Sequence, residues 1–176
     1  MKRAIVLATI VVGVGIWIAY RMIDGQRRLP IYNPSDISPD LVDPELRDVR
    51  SKHRTLPFSM VNQFNEVVTD EVIQGKIHVV DFFFTTCPSI CPIMSDQMEV
   101  IQEELGHRND FKILSFTVDP ETDSPEALHE YAELHSANHE TWQFLTGDKK
   151  DIYALARKSY FVVTDEGSGD STDFIH

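Results

Sequence analysis

The segment from Asp81 to Met94 reads D-F-F-F-T-T-C-P-S-I-C-P-I-M and contains the two cysteines of the chain. Its apolar, aromatic beginning is long enough for a buried β-strand. Cys87 and Cys91 follow, and a proline comes directly after each of them. Because proline lacks an N–H and fixes φ, it suits a turn or the first position of a helix. The segment therefore predicts a strand, a loop that carries two cysteines, and the start of a helix.

Three roles are compatible with the two cysteines: a disulfide, exchange with another disulfide, and binding of a soft metal ion. The helix start favours the two reactive roles, because thiols at a helix N-terminus have lowered pKa values. A structural disulfide is less expected, since closing so short a loop removes little chain entropy. The C-x-x-x-C spacing is one residue longer than the C-x-x-C of most thiol–disulfide oxidoreductases. A peroxidase would need one cysteine of low pKa, and this arrangement does not single one out.

Strand and helix signals alternate around this segment. Strands are expected over 77–84, 111–118, 141–146 and 161–163, after one or two short edge strands within 56–68; the strand over 77–84 is expected to be central. Helices are expected over 92–105, from 124 to about 137, and from 148 to about 160. Ser124 and Asp148 suit the N-cap position and Pro125 the first helical position. This alternation predicts an α/β domain of the βαβ type.

The N-terminal part of the chain has a different character. Residues 4–20 are apolar apart from Thr9, and as a helix they would rise about 25 Å, which Arg21 can extend by snorkelling. The residues before Arg21 make a poor signal-peptidase site, so an uncleaved transmembrane anchor over residues 1–25 is expected. The polar, proline-containing residues 26–55 are predicted to be an extended linker. The globular domain is then expected over 56–176.

Charge is distributed unevenly between these parts. The whole chain carries −12. Residues 1–28 contain five basic residues and one acidic residue, a net +4, so the remainder carries −16. A composition of 42% apolar and 10% aromatic residues is that of a globular protein. The acidic body argues against nucleic acid as a partner and for partners with a basic surface.

The seven histidines do not select a metal site by spacing alone. His135 and His139 stand at positions i and i+4 and could share a helix face as metal ligands, but a solvated helix end is the favoured interpretation, because no acidic or cysteine partner shares their spacing. His78 begins the predicted central strand, at the end away from the cysteines. His176 follows a loop and is preceded by two apolar residues. Periodicity alone makes it little different from any other loop histidine.

Three motifs together carry a resemblance to a known family. They are F-F-F-T-T-C-P-S-I-C-P at 82–92, V-D-P-E-T-D-S-P at 118–125 and the terminal D-F-I-H at 173–176. From about Pro57 to its end, the chain resembles the Sco/SenC family of membrane-anchored, thioredoxin-like copper proteins that assist cytochrome c oxidase assembly. The resemblance implies that Cys87, Cys91 and His176 bind copper and that Asp119 supports the site. Such a set can serve both oxidation states, since Cu(I) accepts two thiolates and Cu(II) prefers added nitrogen.

The resemblance implies a copper metallochaperone rather than an enzyme. It would be a single-pass protein of the inner membrane, with its domain on the periplasmic, extracytoplasmic side. Its partner would be the copper-site subunit of the oxidase or another copper chaperone. The alternative is a thiol–disulfide oxidoreductase in which Cys87 and Cys91 are the redox pair that reduces the cysteines of the oxidase copper site.

The resemblance also implies that the chain is a fragment of a longer protein. Members of the family continue past the histidine into a strand pair and a last helix, which would be missing here. The strand over 77–84 would then have an unpaired, apolar edge.

Overall fold

The computed structural model describes residues 2–25 and 31–162. The chain divides into two compact units, residues 1–32 and residues 33–176. The first unit contains helix α1 (Lys2–Gly25), so the helix expected from the apolar run is present. No helix in the described part of the chain combines the length and the hydropathy that a membrane span requires. The anchor predicted for residues 1–25 stays a prediction.

The residues assigned to the linker are folded from Asn33 onward. Prolines begin three short 3-10 helices there, at Pro34–Asp36, Pro39–Leu41 and Pro44–Leu46. Val42 is 3% exposed. Two ion pairs join this stretch to the helix Lys149–Tyr160, Asp43 with Arg157 at 3.7 Å and Glu45 with Lys158 at 3.0 Å. The prediction of an extended linker is therefore corrected for this stretch, which packs against the domain.

The described residues of the second unit are built around a five-stranded sheet of order β2-β1-β5-β4-β3. Its strands are β1 (Ser59–Asn62), β2 (Val67–Thr69), β3 (Ile77–Phe83), β4 (Phe111–Thr117) and β5 (Trp142–Thr146). Strands β3, β4 and β5 run parallel, whereas β1 is antiparallel to both β2 and β5. Parallel neighbours need crossover connections, and helices α2 (Ile90–Leu105) and α3 (Pro125–Leu134) provide them. Helix α4 (Lys149–Tyr160) follows β5.

The observed elements follow the predicted alternation with small shifts at their ends. Ser124 caps α3 through the N–H of Ala127, and Asp148 caps α4, as expected. Helix α2 begins at Ile90 rather than at Pro92, and α3 ends at Leu134 rather than near 137. The strand expected over 161–163 is wrong for its described residues, 161 and 162, because Phe161 ends α4 in a left-handed conformation with φ of 56°.

Within residues 31–162, two apolar clusters form the core. One contains side chains of β1, β5 and α4, including Met60, Leu145 and Ile152. The other contains side chains of α2 and α3 together with both cysteines. Strand β3 pairs only with β4 among the described residues. It is therefore an edge strand there rather than a central one, with the unpaired edge that the resemblance implied.

Candidate metal or redox centre

The two cysteines meet at the start of helix α2. Cys87 lies in the loop after β3, and Cys91 lies in the first turn of α2. Both are free thiols, 8% and 4% exposed. The backbone N–H of Cys91 donates a hydrogen bond to the sulfur of Cys87 over 3.5 Å. The N-cap residue Ser89 makes no side-chain cap, so the sulfur of Cys87 is an acceptor for the open N-terminus of the helix.

The surroundings of Cys87 favour its thiolate. Burial disfavours the charged form, but hydrogen bonds from the Cys91 thiol and from the backbone N–H groups of Ser89, Cys91 and Ile90 outweigh it. Together they lower the pKa of Cys87 to about 7. A thiol with this pKa is substantially ionised at neutral pH, and the thiolate is both the nucleophile and the metal ligand.

The surroundings of Cys91 have the opposite effect. Burial is the main cause that raises the pKa of Cys91 to about 11, and the hydrogen bond to Cys87 and the charges of Cys87 and Asp81 act in the same direction. The pair is therefore asymmetric. One sulfur is ready to ionise at neutral pH, and the other holds its proton until a ligand or a reaction partner displaces it.

Asp81 is a buried carboxyl group beside this pair. Its side chain accepts a hydrogen bond from the hydroxyl of Ser115 over 2.5 Å, and Ser115 in turn accepts one from the indole N–H of Trp142 over 2.8 Å. Burial raises the pKa of Asp81 to about 7, although the Ser115 hydrogen bond opposes this change. Sequence reasoning missed Asp81 as a site residue; the signal was one acidic residue within an apolar, aromatic strand.

A second buried carboxylate anchors the cysteine loop. Asp123 is 0% exposed and accepts hydrogen bonds from the backbone N–H of Thr85 at 3.1 Å and from the Thr85 hydroxyl at 2.5 Å. It also accepts a hydrogen bond from the hydroxyl of Thr117 at the end of β4. The second aspartate of V-D-P-E-T-D-S-P therefore holds the loop that carries Cys87. The motif was part of the family resemblance, but the resemblance assigned the supporting role to its first aspartate, Asp119.

The structure says less about the predicted supporting residue, Asp119, and about the third predicted ligand, His176. Asp119 takes part in the turn before α3 through its main chain: its carbonyl accepts from Thr122 and Asp123, and its N–H donates to the Thr117 hydroxyl. Its role at the site stays a prediction. His176 lies outside the described residues, so the structure brings together two of the three predicted copper ligands and does not locate the third.

The histidines at positions 135 and 139 have different surroundings. His135 is 5% exposed, and its Nδ1 lies 2.8 Å from Glu99 Oε1 and 3.8 Å from Asp96 Oδ1. The interpretation as a solvated helix end is therefore wrong for His135, which joins the end of α3 to α2. His139 instead lies edge-on to the ring of Phe64. The hydrogen bond between His135 and Glu99 explains why these two side chains and Asp96 lie together, and no metal ion is needed for that explanation.

A cavity of about 580 Å³ opens beside the cysteines. Its walls are mostly apolar and come from β3, the cysteine loop, α2 and the end of α4. The lining residues are Val80, Asp81, Phe82, Phe84, Cys87, Pro88, Ser89, Ile90, Cys91, Met94, Met98, Val118 and Val162. No lysine or arginine is among them. Two thiols in such a cavity are the soft donors that suit Cu(I) or zinc, and the same two thiols suit disulfide exchange.

Comparison with known proteins identifies relatives of this chain. A model of the SCO1/SenC family matches residues 48–176. The SCO1 protein homolog of Bacillus subtilis is 36% identical over 116 residues, which cover 65% of this chain and 60% of the relative. The curated relatives with which the chain aligns are longer, and it spans about half to three fifths of their length.

Two solved structures are informative. One is BsSco, described as a member of the Sco family of cytochrome c oxidase assembly proteins with a disulfide switch. It matches with 35% identity and a TM-score of 0.58, over 67% of this chain and 70% of that one. The other is yeast Sco1 with copper bound, which matches with 26% identity and a TM-score of 0.53, over 62% and 60% of the two chains. The likeness confirms the predicted mixed α/β, thioredoxin-like fold.

Proposed function

The chain belongs to the SCO1/SenC family, and from that premise we propose that it is a copper metallochaperone that assists assembly of the copper site of cytochrome c oxidase. Copper is the metal bound in solved structures of the family, yeast Sco1 among them. The observation that carries the proposal is the contact between Cys87 and Cys91: two soft sulfur donors, one with a pKa near 7, meet in one mostly apolar cavity. Binding and transfer of copper require no catalytic turnover.

The proposed ligands are Cys87, Cys91 and His176. Two thiolates satisfy Cu(I), and an imidazole nitrogen adds the donor that Cu(II) prefers. Asp119 is proposed to support the set. Because every ligand must be deprotonated to bind, copper affinity should decrease as the pH is lowered.

The proposed partner is the copper-site subunit of the oxidase or another copper chaperone, not nucleic acid. The acidic character of the chain after residue 28 would attract a basic docking surface, and salt would weaken that attraction. Residues 1–25 are proposed as a single-pass anchor in the inner membrane, with the domain on the extracytoplasmic side. Anchoring would confine the search for a membrane-embedded partner to the plane of the membrane.

The asymmetry of the cysteine pair favours a second candidate function, thiol–disulfide exchange. In this alternative the Cys87 thiolate attacks a disulfide of the oxidase copper-site subunit and releases one partner thiol. Cys91 then loses its proton and attacks the Cys87 sulfur, so that a Cys87–Cys91 disulfide forms and the second partner thiol is released. The partner is reduced by two electrons and this chain is oxidised by two. The disulfide switch described for BsSco supports this alternative.

Copper titration of the reduced, full chain tests the first function. We expect stoichiometric binding with thiolate-to-copper charge-transfer bands in the wild type, weaker binding in His176→Ala, and none in the double variant Cys87→Ser, Cys91→Ser. His139→Ala is the matched control, since His139 packs against Phe64. A wild-type chain that binds no copper with both thiols reduced would contradict the metallochaperone function.

Partner reduction separates the two functions. The oxidoreductase alternative predicts that the chain reduces the disulfide of the oxidase copper-site subunit at a matched redox potential, and that His176→Ala does so equally well. Copper binding without detectable partner reduction would contradict the oxidoreductase alternative and support the metallochaperone function.

A further inference from the structure

Four of the side chains that line the cavity beside the cysteine loop contain sulfur: Cys87, Cys91, Met94 and Met98. We propose that Met94 is a ligand selective for Cu(I), whose thioether joins the two cysteine sulfurs when the bound copper is reduced. The inference rests on the proposed copper-binding function and extends it, because neither the motifs nor the family resemblance singled out a methionine.

Helix geometry places Met94 next to the cysteines. Cys91, Met94 and Met98 stand at positions i, i+3 and i+7 and therefore share one face of α2. At about 1.5 Å of rise per residue, Met94 lies roughly 4.5 Å from Cys91 along the helix axis and Met98 roughly 10 Å. Long side chains of a helix lean toward its N-terminus, which for Met94 is the end that carries the cysteine loop. Met94 is thus the methionine within reach of a metal ion held by both sulfurs.

Burial also distinguishes the two methionines. Met98 is 8% exposed and belongs to the buried apolar cluster, whereas Met94 is half-buried, packs against that cluster and lines the cavity. Methionine has three rotatable side-chain bonds and adapts readily to a new neighbour. Met94 can therefore change rotamer toward the metal without leaving a cavity in the core. The same movement of Met98 would leave one, because Met98 is part of the buried cluster.

The chemistry of the thioether makes this ligand specific for one oxidation state. A thioether is a neutral, soft donor that suits Cu(I), while Cu(II) favours imidazole nitrogen. Met94 adds no charge to a cavity that already contains two thiols and the Asp81 carboxyl group. Cu(I) would then be held by Cys87 and Cys91 with Met94 as an added sulfur ligand.

The test compares three Met→Leu variants of the full chain, a change that nearly conserves side-chain volume. Met98→Leu is the matched control on the same helix face and cavity wall. Met60→Leu is a control in the other apolar cluster. Affinity for Cu(I) is measured anaerobically by competition with a chromophoric Cu(I) chelator, and Cu(II) binding is followed by its charge-transfer bands.

We expect Met94→Leu to weaken Cu(I) binding by about tenfold or more, while its Cu(II) bands and the Cu(I) affinity of both controls stay unchanged. Equal Cu(I) affinities for Met94→Leu and Met98→Leu would overturn the inference. Copper-edge X-ray absorption of the selenomethionine-labelled chain is a second measurement that needs no folded variant. A copper–selenium distance typical of a bond should be present in the wild type loaded with Cu(I), and its absence there would also overturn the inference.

The outcomes separate this inference from the proposed function. A wild-type chain that binds no copper would overturn both. A wild-type chain that binds copper, with a Cu(I) affinity that Met94→Leu does not change, would overturn the role of Met94 and leave the proposed function intact.

Discussion

The sulfur of Cys87 lies 3.5 Å from the backbone nitrogen of Cys91 and accepts its hydrogen bond. Through this contact Cys87 becomes a hydrogen-bond acceptor for the N-terminus of α2, the helix that contains Cys91. The consequence is electrostatic, because the pKa of Cys87 is lowered to about 7 while the pKa of Cys91 is raised to about 11. The two sulfurs are therefore unequal before any metal or partner arrives.

This inequality predicts selective alkylation. In the reduced, folded chain, iodoacetamide should modify Cys87 at a rate that reaches half its maximum near pH 7, because the thiolate is the reacting species. Cys91 should stay unmodified at neutral pH, since its pKa is raised to about 11 and almost none of it is thiolate there. Mass spectrometry of tryptic peptides across a pH series measures both rates.

The denatured chain provides the control, because both cysteines should then react alike with a midpoint near 9, the ordinary value of a free thiol. If Cys87 of the folded chain also titrated near 9, the hydrogen bonds to its sulfur would not have the proposed effect.

The hydrogen bonds between Asp123 and Thr85 predict that replacing Asp123, which lies far along the sequence from the cysteines, destabilises the domain strongly. Asp123→Ala leaves three buried or half-buried hydrogen-bond donors without their acceptor. We expect the free energy of unfolding to decrease by about 3 kcal/mol, measured by urea denaturation. Because Thr85 is two residues before Cys87, the midpoint of Cys87 alkylation should also move upward toward 9.

Asp119→Ala is the matched control within the same motif. The hydrogen bonds that Asp119 makes in the described structure come from its main chain, so its stability should change by no more than about 0.5 kcal/mol. If Asp119→Ala and Asp123→Ala were equally destabilising, the loop would not be held by the second aspartate. A loss of copper affinity in Asp119→Ala at unchanged stability would support the role that the resemblance implies for it.

Features that depend on residues close together in the sequence were predictable from it, whereas those that depend on distant contacts were not. The caps at Ser124 and Asp148 were predictable because a cap depends on residues within one helical turn. That Asp123 rather than Asp119 holds the cysteine loop was not predictable, because it depends on where β3 and β4 end relative to the turn. The burial of His135 likewise follows from the contact of α3 with Glu99 on α2, a neighbour that spacing along one helix does not reveal.

The folded stretch before β1 predicts that Val42 stabilises the domain. An extended linker would make this residue unimportant for folding, but Val42 is 3% exposed. Val42→Ala removes two buried methyl groups, so we expect a loss of about 2 kcal/mol in urea denaturation of the full chain. Val100→Ala is the control, because Val100 is 47% exposed on α2 and its replacement should have a small effect. Equal stabilities of Val42→Ala and the wild type would show that this stretch is not part of the folded domain.

The burial of Asp81 predicts a pH dependence of stability. Its pKa rises from 3.8 to about 7 on folding, so between these values the native state keeps a proton that the unfolded state has lost. Stability must then decrease as the pH rises through this window, by at most about 4 kcal/mol for this group. Asp81→Asn cannot titrate, and its amide oxygen can still accept the Ser115 hydrogen bond. The variant should therefore gain stability relative to the wild type between pH 5 and pH 8.

Urea denaturation of the reduced wild type and Asp81→Asn at both pH values measures this gain directly, because contributions common to the two proteins cancel in the difference. Ser115→Ala gives a second, independent test. It removes the hydrogen bond that lowers the pKa of Asp81, so its loss of stability between pH 5 and pH 8 should be larger than that of the wild type. If Asp81→Asn and the wild type differed by the same amount at both pH values, the carboxyl group beside the two cysteines would not hold its proton into the neutral range.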